Sequence, residues 1–166
     1  VVRRYLLDSN LSSVSLNPKG FLQVAASEED EDGSADTRRV QLDNGLTVLL
    51  QEDHRVPLVS LRVSFLAGLL GEDEKTSGLA QLASRCLLKG TSTRSAAEIA
   101  DAIENSGGTL AASAGNNTFT VAAGCLEQDL VMALDLMSDV LLRPTFPKGE
   151  IEREKVAQLA SIRSES

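Results

Sequence analysis

The chain has 166 residues, 42% of them apolar and 3% aromatic, with no Trp, which suits one domain whose core is built from Leu, Val, Ile and Ala. The net charge of -8 is local. Glu28, Glu29, Asp30, Glu31, Asp32 and Asp36 hold six of the 24 acidic residues, and the other 18 nearly balance 16 basic ones, so the acidity says little about partners. The lack of a basic patch interleaved with aromatics excludes nucleic-acid binding as a class, and no apolar run is long enough to span a membrane.

Residues 1–19, VVRRYLLDSNLSSVSLNPK, read as a helix end, a turn at Asp8-Ser9-Asn10 and a strand from Leu11 to Leu16 stopped by Pro18. Residues 20–37 are charged, small and polar at their centre, the composition of a flexible linker. From Arg38 the patterns become regular. RRVQLDNGLTVLLQED alternates apolar and polar on both sides of Asp43-Asn44-Gly45, a hairpin signal because Asn-Gly supplies the positive φ of a tight turn. VPLVSLRVSFLAG alternates again and predicts a third strand. The spacing predicts a helix from Gly78 to Leu88, with Leu79, Leu82 and Cys86 on one face, Ser77 as its N-cap and Gly90 at its end.

Ser95 with Glu98 at the capping-box position predicts a second helix, stopped by Gly107-Gly108. TLAASAG and TFTVAAGC form a second hairpin around Asn116-Asn117. LEQDLVMALDLMSDVLLRP is a long amphipathic helix, with Leu126, Leu130, Met137 and Leu141 among its apolar positions, ended by Pro144. Met132 and Met137 are expected to fill core. A last helix starts near Lys148 and still runs at Ser166. The chain is therefore expected to be a piece of a longer protein. The order β-β-β-α-α-β-β-α-α pairs strands in hairpins and helices in twos. That predicts an α+β domain, with helix pairs packed on one face of a largely antiparallel sheet.

Two cysteines, Cys86 and Cys125, cannot make a disulfide framework or a thiolate zinc site alone, and both sit among apolar neighbours; they are expected to be buried free thiols. The one histidine, His54, lies in a polar loop, which leaves Cys86 without a base.

In order from about 38 to 166, the chain resembles the pitrilysin/insulinase family of zinc peptidases, which includes the mitochondrial processing peptidases. The resemblance is carried by LDNGLTVLLQED, the Gly-x-x-x-Glu loop before the GLA helix entry, LLKGT, RSAAEIADAIENSGG, the Ala-Ser hairpin, RPTFP and EREK. It implies the fold shared by LuxS and those processing peptidases. RRYLLDSNLSSVSLNP resembles the closing helix and strand of the same family's repeat. Residues 1–19 would then end a preceding unit, residues 20–37 link the two, and residues 38–166 form the front of the next unit; the alternative for residues 1–19 is a native N-terminal extension.

The resemblance also implies a motif, and the motif is missing. The family's first helix carries His-x-x-Glu-His, two imidazoles on one helix face that bind zinc and a glutamate that takes a proton from zinc-bound water; a Glu on a later helix completes the ligands. Aligning GLA and KGT puts Gln81 and Arg85 at the histidines and Ser84 at the base, and aligning EREK puts Ser161 at the distal Glu. A fixed cation at a ligand position repels zinc by roughly 4 kcal/mol at ~4 Å and an effective dielectric of ~20. The Asn-Ala pair that the family places beside the substrate strand is replaced by Ala111-Ala112. Two readings of Arg85 stay open: an ion pair with a carboxylate across the former site, or a side chain snorkelling to water. No catalytic residue and no cofactor is expected in this chain. The resemblance implies zinc in a catalytic partner unit, within the same parent chain or in a partner subunit, with this unit helping to enclose a peptide substrate. The alternative is a scaffold or assembly protein that keeps the fold without proteolysis. The compartment does not follow from the sequence.

Overall fold

A computed structural model describes residues 11–12, 37–53 and 55–165. The expectations for residues 1–10 and 13–36 and for His54 lie outside the described residues. The strands are β1 (Leu11–Ser12), β2 (Thr37–Gln41), β3 (Thr47–Gln51), β4 (Leu58–Leu66), β5 (Thr109–Ala114) and β6 (Thr118–Leu126). The helices are α1 (Leu79–Cys86), α2 (Ala96–Asn105), α3 (Leu130–Leu142) and α4 (Lys148–Glu165). From β2 onward the element order is the one that the hydrophobic periodicity predicts.

The six strands form one sheet in the order β2-β3-β1-β4-β6-β5. All pairings are antiparallel except that of β1 with β3. The β2–β3 hairpin turns at Gly45, whose φ of 86° needs no Cβ-bearing residue. Leu42 N–H donates to Leu46 C=O at 2.8 Å, and Leu46 N–H to Asn44 Oδ1 at 3.1 Å. Residues Leu11–Ser12 lie between β3 and β4, with Ser12 opposite Thr47 on one side and Ser64 on the other.

Alternation along β4 decides the two faces of the sheet. Val59, Leu61, Val63 and Phe65 are buried, whereas Leu58, Ser60, Arg62 and Leu66 are exposed. The inward set joins Val40, Val48, Val121, Ala123 and Cys125 from the other strands. Leu87, Ile99, Leu130, Leu136, Met137 and Val140 close over it from the helical side. A fully buried side chain of this size contributes roughly 1.5–3 kcal/mol, so the helices are held to one face by apolar burial. Leu126, expected in the third helix, instead ends β6 opposite Leu58. Glu127 N–H donates to Pro57 C=O at 3.1 Å, and a 3-10 turn over Glu127–Asp129 separates strand from helix.

Candidate functional site

The β4–α1 loop docks on the β5–β6 hairpin. Ala67, Leu69 and Leu70 donate backbone N–H groups to the carbonyls of Asn117, Gly115 and Asn116 at 3.0, 3.3 and 3.1 Å. Gly68 makes the approach possible: its φ is +104°, and a Cβ there would lie 2.1 Å from the Gly115 oxygen. The loop then brings Glu72 over the start of α1. Its carboxylate accepts from Gly78 N–H at 2.6 Å and from Ala80 N–H at 2.7 Å, which satisfies orphan donors and places negative charge at the positive end of the helix. The N-cap residue is Gly78, at φ 84°, with no side-chain cap of its own. Ser77 therefore does not cap the helix, because the Glu of the Gly-x-x-x-Glu loop already fills that role.

α1 packs against both β5 and α4. Of the positions aligned to the missing motif, Gln81 is exposed, Ser84 is buried and Arg85 is half-buried. Ser84 Oγ donates back to the Gln81 carbonyl at 2.8 Å. Across the helix pair, Arg85 Nη1 stands 4.0 Å from Glu154 Oε2, and Lys89 Nζ 3.1 Å from Glu154 Oε1. The next α4 residue toward α1, Gln158, donates Nε2 to the Gly78 carbonyl at 3.1 Å. Ser161, half-buried, follows on the same helix. The structure thus brings the GLA helix and the EREK helix together and sets Arg85 beside a carboxylate, the first of its two readings. On β5, Ala111 lies on the exposed face and Ala112 turns toward the core.

These side chains do not fit zinc. The aligned positions offer an amide, two hydroxyls and a guanidinium, and Glu154, the carboxylate facing Arg85, meets two cations. Among the described residues, no group of three or more His, Cys, Asp or Glu converges elsewhere. Cys86 and Cys125 are free and buried. Burial pushes the Cys86 thiol up, Glu154 and Glu150 add to the rise, and Lys89 opposes it. Cys125 is pushed up by burial and by Asp129. Neither is a thiolate nucleophile at neutral pH.

The most constrained polar cluster is one that the sequence patterns do not single out. Asp139 is fully buried (0% exposed) on the core side of α3. Its Oδ2 accepts from Thr91 Oγ1 at 2.6 Å, Thr93 Oγ1 at 2.7 Å and Arg94 Nη1 at 3.0 Å. Arg143 Nε lies 2.8 Å from Oδ1, an ion pair without hydrogen-bond alignment. Burial alone would raise the Asp139 carboxyl, but the bonds from Thr91, Thr93 and Arg94 and the charge of Arg143 outweigh it and hold the group at about 2. The clasp ties the Lys-Gly-Thr loop after α1 to the Arg-Pro end of α3. An Asp set within the apolar stripe of a helix was the available signal. On the face of α1 away from Arg85, a cavity of about 80 Å³ is lined mainly by apolar side chains, among them Phe65, Phe119 and Phe146.

The family model described as Insulinase (Peptidase family M16) matches residues 47–165. The chain belongs to the M16 peptidase family. Similar M16 proteins include the zinc protease YmxG of Bacillus subtilis, 29% identical over 71% of this chain and 29% of its own length. The mitochondrial-processing peptidase subunit beta of Saccharomyces cerevisiae is 31% identical over 72% of this chain and 26% of its own length. The crystal structure of a peptidase M16 inactive domain from Pseudomonas fluorescens superposes with a TM-score of 0.72 at 26% identity, covering 78% of this chain and 32% of that one. The chain thus spans less than a third of these M16 relatives. Two of the motif runs have structural roles: the Glu of Gly-x-x-x-Glu caps α1, and the Thr of Lys-Gly-Thr ties the end of α1 to α3.

Proposed function

We propose that this chain is the front of a non-catalytic M16 unit, which holds an extended peptide for a zinc-bearing partner unit. The observation that carries the proposal is the pairing of α1 with β5. The helix aligned to the metal motif keeps its place and lacks its donors, and it packs on a strand that ends the sheet. An edge strand presents unpaired N–H and C=O groups along one side, and an extended peptide completes them by strand addition. β5 suits this role. Its exposed residues Thr109, Ala111 and Ser113 are small and uncharged, so little side-chain bulk obstructs a neighbouring strand. Ala111 and Ala112 are then backbone contacts for substrate rather than side-chain readers. Zinc, with its activated water, belongs to the partner unit. In the same proposal, residues 1–19 end a preceding unit, residues 20–37 link it to this one, and the Leu11–Ser12 strand carries that end into this unit's sheet.

The test is binding of a fluorescent extended peptide to the full-length protein, with single backbone N-methyl groups placed along the peptide. Strand addition predicts that alternate N-methyl positions weaken binding and the intervening ones do not, the period of a β ladder. Uniform tolerance of N-methylation would remove the edge-strand proposal. Absence of any peptide binding would favour the scaffold alternative.

A further inference from the structure

The charges between α1 and α4 do not balance. Arg85 and Lys89, each with a side chain 35% exposed, meet one carboxylate, Glu154, whose side chain is 19% exposed. Lys89 takes the short contact at 3.1 Å, and Arg85 is left at 4.0 Å, beyond hydrogen-bond reach. A guanidinium carries five N–H donors in a planar fork. Among the described residues, no hydrogen bond engages that of Arg85. The neighbouring groups do not cancel the surplus. Cys86 is held neutral, with its thiol pushed up by burial. Glu150 is engaged by Arg153 at 2.7 Å. The buried Oε1 of Gln158 has no partner and carries no charge. Gln81 and Arg85 are four residues apart on one side of α1, Gln81 is exposed, and Lys89 follows in the turn just beyond the helix end.

We propose that this side of α1 is a carboxylate subsite on the peptide path, resting on the peptide-holding function above. A carboxylate accepts two parallel N–H bonds from the Arg85 fork, with the amide of Gln81 and the ammonium of Lys89 beside it. The guanidinium fork meets a carboxylate at two points. The carboxylate comes from an acidic side chain of the bound peptide or from its free C-terminus. Either source gives the unit a preference for acidic over basic peptide at this point.

The experiment uses the full-length protein and one peptide backbone in four forms, measured by fluorescence anisotropy. The forms are a neutral amidated peptide, the same peptide with Gln replaced by Glu, the same with Gln replaced by Lys, and the neutral peptide with a free C-terminal carboxylate. The Glu form or the free-acid form is expected to bind roughly fivefold tighter than the neutral one, the scale of a half-exposed ion pair, and whichever form gains identifies the source. Arg85→Gln is expected to abolish the gain. Glu154→Gln, which removes the competing carboxylate, is expected to increase it, and an increase cannot arise from misfolding. Equal affinity for all four forms, or a gain that survives Arg85→Gln and is unmoved by Glu154→Gln, would overturn the subsite while leaving peptide holding intact. No binding of any form would overturn both.

Discussion

The clasp around Asp139 makes a prediction whose size and pH dependence both follow from the structure. The perturbation is Asp139→Asn, which keeps the shape and removes the charge. The native carboxyl is held at about 2, against an ordinary 3.8. That gap corresponds to about 2 kcal/mol of stability at neutral pH. Removing one partner of a fully buried ion pair costs ~3–5 kcal/mol, but here the cations are not sealed in. The Arg94 and Arg143 side chains are 30% and 50% exposed and rehydrate when Asp139 is neutralised, so the lower figure applies. The sign follows from proton linkage. The folded state binds this proton more weakly than the unfolded chain does. The contribution is therefore fully present above the unfolded value of about 3.9 and is lost as pH falls toward about 2. Urea unfolding of wild type and Asp139→Asn, followed by circular dichroism, should give a difference of about 2 kcal/mol at pH 7 that shrinks toward zero near pH 2. A difference that does not vary with pH, or one below ~0.5 kcal/mol at neutrality, would refute the assignment of a charged, hydrogen-bonded carboxylate.

Three further outcomes follow from single sites. Gly68→Ala should destabilise by about 2 kcal/mol or more, because the φ of +104° and the Gly115 oxygen 2.1 Å from the new Cβ both oppose it; an unchanged melting temperature would argue against the loop docking on the hairpin. Ser95→Ala should cost about 1 kcal/mol, since Ser95 Oγ accepts from Glu98 N–H at 3.3 Å and the Glu98 carboxylate takes the Ser95 N–H in return at 2.7 Å; a neutral result in thermal unfolding would remove the cap. Cys86 and Cys125, buried and pushed up, should react with a thiol reagent at pH 7 only after denaturation. Rapid labelling of the native protein would contradict their burial.

Local signals carried most of the fold. Asn44-Gly45 fixed a hairpin because its chemistry is confined to one turn, and Ser95 with Glu98 fixed a helix start because both partners lie within four residues. Where the partner is distant, the sequence was silent or misleading. Ser77 has the chemistry of an N-cap, yet Glu72, reaching back from the preceding loop, takes the free N–H groups of Gly78 and Ala80. The place of Leu11–Ser12 between β3 and β4 depends on pairing across dozens of residues, and strand alternation carries no information on neighbour order. The alignment of Gln81, Ser84, Arg85 and Ser161 to the metal motif needs only residue type at fixed spacing, which a sequence displays directly. The carboxylate facing Arg85 was legible only as a possibility, since its identity as Glu154 needs the packing of α4 on α1. Asp139 was missed because its hydrogen-bond partners sit 45 or more residues away, on a loop with no periodicity of its own.

The central claim is that this unit keeps the M16 frame and contributes no metal ligand. Its most direct test is the zinc content of the full-length protein, purified without added metal and measured by elemental analysis, compared with that of Gln81→Ala and Arg85→Ala variants. About one zinc per pair of units is expected, as a catalytic site with three protein ligands in the partner requires, with the same zinc content in both variants. Loss of zinc on altering Gln81 or Arg85 would place the metal in this chain, and folded full-length protein with no zinc at all would contradict the peptidase half of the account.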